Sequence, residues 1–184
     1  YTEPTSADTQ GQPRSTVQEV YNQIISDINK AVEWYEKASD LGYSPAQNSL
    51  GILYETGKGA NKDINKAFKL YEKSANQGDS DGQYNLGLCY EYGKGTDINL
   101  EKAFKCYEDA ASFLHSDAKY KLAVFYEEGR GIEKNLSQSL YWYEQAAKQG
   151  DIDAQFNLGN MYDFGDGCNV DKKQALYWYE QAAK

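Results

Sequence analysis

The chain has little of what catalysis, metal binding or membrane insertion needs. It holds one histidine and three cysteines, and no apolar run approaches the roughly 18 residues of a membrane-spanning helix. Nothing at its start reads as a secretory signal, and it begins at Tyr1 without Met, so it is read as a piece of a longer protein. Bases are short as well: 19 Lys and Arg stand against 28 Asp and Glu, a net charge of -9, with no basic cluster. That balance opposes nucleic acid or an anionic membrane as the principal partner. The cysteines, Cys89, Cys106 and Cys168, are odd in number and irregular in spacing, which argues against a disulfide framework and favours a reducing compartment. A cytoplasmic location is the expectation.

Glycine and tyrosine, by contrast, are abundant and periodic. A step of 36 residues carries Leu50 to Leu86, Leu122 and Leu158, and Tyr54 to Tyr90, Tyr126 and Tyr162. The same step runs Tyr35, Tyr71, Tyr107, Tyr143 and Tyr179, and takes glycines through 57, 93, 129 and 165 and through 59, 95, 131 and 167. Self-similarity of this length signals a solenoid, in which each unit buries its apolar face by stacking on its neighbours. Function must then be sought on a surface that several units build. The cysteines fit the columns: Cys89 stands with Leu53, Phe125 and Met161, and Cys106 with Trp34, Leu70, Trp142 and Trp178. Both read as small buried hydrophobes. In a helical hairpin they should lie too far apart axially to bridge.

In chain order, residues 1–14 are rich in Pro, Gly, Ser and Thr and read as a disordered tail or linker. Residues 15–41 carry apolar positions at helical spacing and form a capping helix of about 24 residues, with Ser15 and Gln18 resembling a capping box. It lacks the glycine turn and counts as a half-unit. Four full units follow in 42–184, at about 44–77, 80–113, 116–149 and 152–184, each a helix A, a glycine turn and a helix B. Asp63, Asn99, Asn135 and Asp171 stand where helix B needs its N-cap. Gly51, Gly87 and Gly159 should let helix B approach closely at its small residues Ala67, Ala103 and Ala175. Between units the chain leaves the helix at Gly42, Gly78 and Gly150, but at Leu114 in the third case. The second-to-third junction is therefore expected to differ in geometry.

These columns resemble the Sel1-like repeat, a relative of the tetratricopeptide repeat with a longer inter-helix turn. The resemblance is carried by AQFNLGNMYDFGDG from Ala154 and DKKQALYWYEQAAK from Asp171, and by LGLCYEYGKG and EKAFKCYEDAA in the second unit. It extends from Ile28 to Lys184, with departures at Leu114, Ala123 and Ser139. It implies an all-α fold, an α/α solenoid of helix-turn-helix repeats in a right-handed superhelix whose inner surface the A helices line. It also implies a non-catalytic adaptor for a peptide or partner domain. The alternative implied is a hydrolase of the cysteine-rich, penicillin-binding or β-lactamase type; those proteins carry a disulfide in each repeat, whereas here cysteines occur singly. A shorter resemblance, QPRSTVQEVYNQI to the closing helix of a protein kinase domain, implies a kinase in the parent protein.

Catalytic chemistry finds no constellation. Gly57–Gly59 and Gly93–Gly95 read GKG, but a phosphate loop needs four residues between its first Gly and Gly-Lys-Ser/Thr, and Gly87 to Gly93 encloses five. His115 lies at a junction and reads as exposed or capping. Glu36, Glu72, Glu108, Glu144 and Glu180 repeat with the unit, whereas a catalytic pair is singular. No cofactor and no metal are expected.

If the A helices line the inner face, register gives the groove. It comprises Asn48, Ser49, Ile52 and Glu55; Tyr84, Asn85, Leu88, Glu91 and Tyr92; Tyr120, Lys121, Val124, Glu127 and Glu128; and Phe156, Asn157, Asn160, Asp163 and Phe164. Five acids face the single base Lys121, so a basic or neutral protein or peptide is the expected partner, bound without cofactor, nucleic acid or membrane. The uncovered last unit is a further candidate surface, for self-association.

Overall fold

The structure, a computed structural model, describes residues 17–184. The tail and Ser15 lie outside the described residues. Among these, nine helices and no strand are found: α1 (Val17–Asp40), α2 (Ser44–Thr56), α3 (Ile64–Ala75), α4 (Ser80–Tyr92), α5 (Leu100–Ser112), α6 (Ser116–Glu128), α7 (Leu136–Ala147), α8 (Ile152–Phe164) and α9 (Lys172–Ala182). The α/α solenoid is thus observed. Each even-numbered helix (A) packs on the odd-numbered helix (B) that follows it, and each B helix packs on the next A helix.

Local chemistry explains the boundaries. Each A helix ends at a left-handed glycine, Gly57, Gly93, Gly129 or Gly165, whose N–H bonds back into the last turn. Each B helix begins at Asp63, Asn99, Asn135 or Asp171, whose side chain accepts a backbone N–H from the first turn. The second turn glycine has a separate task, because a Cβ at Gly131 would stand 2.7 Å from the carbonyl carbon of Leu100 and 2.9 Å from the N of Glu101. Gly95 and Gly167 press in the same way on Ile64 and Leu136. This glycine lets one unit's turn lie on the backbone of the preceding B helix.

The core is a row of buried tyrosines and small residues. Tyr71, Tyr107 and Tyr143 are at most 1% exposed, amid Ala67, Ala103, Leu122 and Leu158. Gly51, Gly87 and Gly159 meet tyrosine rings first: a Cβ at any of them would lie 2.6 Å from the Cε1 of Tyr71, Tyr107 or Tyr179. The close approach expected at these glycines is thus made against the tyrosine rings of helix B. Cys89 belongs to one core cluster and Cys106 is partly buried against it, with no disulfide between them. Both thiols are free, and burial pushes each up to about 12.

The second-to-third junction corrects another expectation. Leu114 adopts the left-handed conformation, φ 68°, that Gly78 (80°) and Gly150 (90°) adopt in the other junctions. Its N–H bonds to the Ala111 carbonyl as those of Gly78 and Gly150 bond to Ala75 and Ala147. The shape of the turn is kept, and the leucine carries the backbone strain. His115 then caps α6: Nδ1 accepts the Ala118 N–H at 3.3 Å, where Asp79 and Asp151 use a carboxylate on Gly82 and Ala154.

Candidate functional site

Three units repeat one polar device between their two helices. The phenol of a B-helix tyrosine donates to the carboxylate at the end of helix A: Tyr71 to Glu55 at 2.7 Å, Tyr107 to Glu91 at 2.5 Å and Tyr143 to Glu127 at 2.7 Å. Burial, together with the carboxylate each one serves, raises all three phenols and keeps them protonated donors. The fourth unit has the shorter Asp163 in this column, and Tyr179 donates instead to Asn160 at 2.8 Å.

What meets the other side of the carboxylate changes along the stack. Lys94, from the next unit's turn, lies 2.7 Å from Glu55. Arg130, one unit on in the same register, lies 2.7 Å from Glu91, and Lys121 of α6 lies 3.1 Å from it. Burial pushes the Glu91 carboxyl upward, but hydrogen bonds from Tyr107, Arg130 and Lys121 outweigh burial and hold it below the ordinary carboxylate range. Glu55 is held down in the same manner, against burial, by Lys94 and Tyr71. Burial works against the charge of Lys121 and Arg130 too, yet bonds to Tyr92 and Glu91 raise Lys121, and the bond to Glu91 raises Arg130.

The third unit breaks the series. The position of Lys94 and Arg130 is taken by Asp166, in a turn of the same backbone form: its N–H bonds to the Met161 carbonyl as those of Lys94 and Arg130 bond to Cys89 and Phe125. Among the described residues no cation pairs with Glu127.

These facts revise the predicted groove. Glu91 is 3% exposed and Asn48 7%, so neither is an open contact residue. Asn48 spends its carbonyl on the Asn85 amide, at 2.8 Å, in a bridge between α2 and α4. Nor is Lys121 the lone base, because Lys94 and Arg130 fold back from the turns onto the acids. Ile52, Tyr92, Phe156 and Phe164 are exposed, as is Glu128, which lies 3.7 Å from Arg130. Tyr84, Leu88, Tyr120, Val124, Glu127, Asn157, Asn160 and Asp163 are half-buried. Asp163 pairs with Lys172 at 2.7 Å. The A helices are joined directly, α4 to α6 by Lys121, whose ammonium also donates to the Tyr92 hydroxyl at 3.0 Å.

Among the described residues no group of His, Cys, Asp and Glu could hold a metal, and no helix is long and apolar enough to cross a membrane. The cysteines being free, the disulfide-bearing hydrolase reading has no support.

Comparisons with known proteins agree with the geometry. A family model described as Sel1 repeat matches residues 22–43, 44–79, 80–112, 116–151 and 152–184. The first of these reaches into the kinase-like stretch, for which nothing speaks. The crystal structure of c5321, a protective antigen of uropathogenic Escherichia coli strains displaying an SLR fold, superposes with a TM-score of 0.82 at 34% identity. That match covers 84% of this chain and 33% of that one. A Sel1 repeat protein from Oxalobacter formigenes gives 0.79 at 34% identity, covering 84% and 62%. Helicobacter pylori cysteine rich protein B gives 0.53 at 27% identity, covering 66% and 87%. The chain thus spans a third to under two thirds of the first two structures. Among curated proteins none matches.

Proposed function

The chain belongs to the Sel1 repeat family, whose members are generally non-catalytic helical scaffolds, and we propose that its A-helix face binds an extended, basic segment of a partner protein. The observation that carries this reading is the carboxylate of Glu127. Its counterparts hold Lys94 and Arg130 from the protein itself, while Glu127 meets Asp166 in that register. A Lys or Arg of the partner supplies the missing cation, since a charge-assisted bond to a half-buried carboxylate is strong and selective. Tyr120 on α6 and exposed Phe156 and Phe164 on α8 add apolar surface to the same A-helix register, and Asn157 offers an amide to a peptide backbone.

The test is to select binders from an unbiased library of extended peptides and then to fill the gap from within. Recovered peptides should carry Lys or Arg, and Asp166→Lys, which recreates the arrangement of the first two units, should weaken them about tenfold, the worth of one such bond. Acidic or uncharged binders, or affinity unmoved by Asp166→Lys, would refute the reading.

A second reading concerns the far end. Ala182 and Ala183 correspond to Ala146 and Ala147, which the next A helix buries to 2% or less. With Phe156 and Tyr179 they line a shallow, apolar depression of about 420 Å³, which favours self-association there.

A further inference from the structure

The second and third units are held together at both ends of α4. At the C-terminal end, Glu91 binds Arg130 and Lys121 of the third unit. At the N-terminal end, ten residues and about 15 Å away along the helix, Nε2 of His115 lies 3.3 Å from the Asp81 carboxylate, and Tyr84 stacks on its ring with centroids 4.6 Å apart. The first latch is built from a carboxylate, a guanidinium and an ammonium, whose charges do not change above pH 5. The second depends on an imidazole.

We propose that this junction is an acid-sensitive hinge: protonation of His115 releases the start of α6 while the Glu91 end stays closed. Because Nδ1 accepts the Ala118 N–H it is bare, and the neutral ring carries its proton on Nε2, the nitrogen nearest Asp81. A proton added to the ring goes to Nδ1 and turns the acceptor into a donor that faces another donor. Ala118 is fully buried, so its N–H finds no water in place of the lost bond.

The charged surroundings decide which contact yields. Asp81 of α4 and Asp117 of α6 attract an imidazolium, and the Tyr84 face accepts one. The α6 N-terminus repels it. Lys119 also lies in that first turn, but it is engaged with Gln149, whose amide in turn donates to the Leu114 carbonyl. The ring therefore stays on Tyr84 and Asp81, and the cap is what breaks. Leu114 adds to the instability, because the residue before the cap sits in a left-handed conformation that its side chain disfavours. Two sibling junctions carry glycine and aspartate at these two places, Gly78–Asp79 and Gly150–Asp151, and an aspartate keeps accepting at the pH where imidazoles gain a proton.

Hydrogen exchange of the Ala118 amide provides the test, with the Asp-capped amides of Gly82 and Ala154 as references inside the same molecule. Between pH 7.5 and 5.5, exchange at Ala118 should rise about fivefold relative to Ala154, the effect of one lost helix cap. The double change Leu114→Gly with His115→Asp should abolish that rise. A constant Ala118 to Ala154 ratio in the unmodified protein, or greater protection of Ala118 at pH 5.5, would overturn the proposal whether or not the double variant folds.

Discussion

The second and third units have the same helices, the same tyrosine–carboxylate bond and the same turn, yet they hold their inner carboxylates differently. Glu91 is buried under Arg130 and Lys121, while Glu127 keeps Tyr143 and gains no cation. The difference comes from the following unit, which contributes Arg130 in one case and Asp166 in the other. It teaches that in such an array a position can pass from structural to available for binding without any change in its own helix pair. One carboxylate fastens two units together; its counterpart one step along has no cation partner among the described residues.

The largest expected effect breaks the comparison on its structural side. Glu91→Ala leaves Arg130 and Lys121 facing a cavity and removes the acceptor of the Tyr107 hydroxyl, and should cost about 3 kcal/mol in urea unfolding. Glu127→Ala, with no cation to strand, should cost about 1 kcal/mol. Similar losses at both sites would erase the distinction. The acid limb of stability sharpens it further. The Glu91 carboxyl lies below its ordinary value of 4.5 in the folded protein, so its contribution is fully present above about pH 4.5 and is lost as pH falls through the folded value. The advantage over Glu91→Gln should therefore hold at pH 6 and shrink towards pH 3.

A smaller effect tests the turn that delivers Arg130. Gly131→Ala places a methyl against the Leu100 and Glu101 backbone in a left-handed conformation, and should cost about 2 kcal/mol, half from strain and half from forced separation. Gly150→Ala, with nothing within 4 Å, should cost about 1 kcal/mol from strain alone. Equal costs would mean that the turn does not press on the preceding helix.

Much of the fold could be read from periodicity, because each column has one local cause. Leucine and tyrosine columns mark the core, and Asp or Asn after the second glycine marks a cap. The Glu91 cluster escaped because its parts lie in different columns: Glu91 and Arg130 are one repeat plus three residues apart. The sign was present, since Glu55 and Lys94 have the same offset, but a search on the 36-residue step compares like with like and misses pairs between unlike columns. Leu114 was misjudged for a related reason. Side-chain preference argued for a different turn, whereas helices packed on both sides of the junction impose the turn of its siblings and leave the cost in the residue.

That cost sets the smallest of the effects. Leu114→Gly relieves a left-handed leucine, worth about 1 kcal/mol, and concedes part of it to the greater freedom of glycine in the unfolded chain. Little packing is lost, because the leucine is 70% exposed. The net expectation is a gain of about 0.5 kcal/mol in the urea midpoint. Strain in the Leu114 backbone involves no charge, so the gain should be the same at pH 7.5 and 5.5. A gain that appeared only at pH 5.5 would show that the leucine and the histidine act as one unit, and the two junction features would have to be treated as coupled.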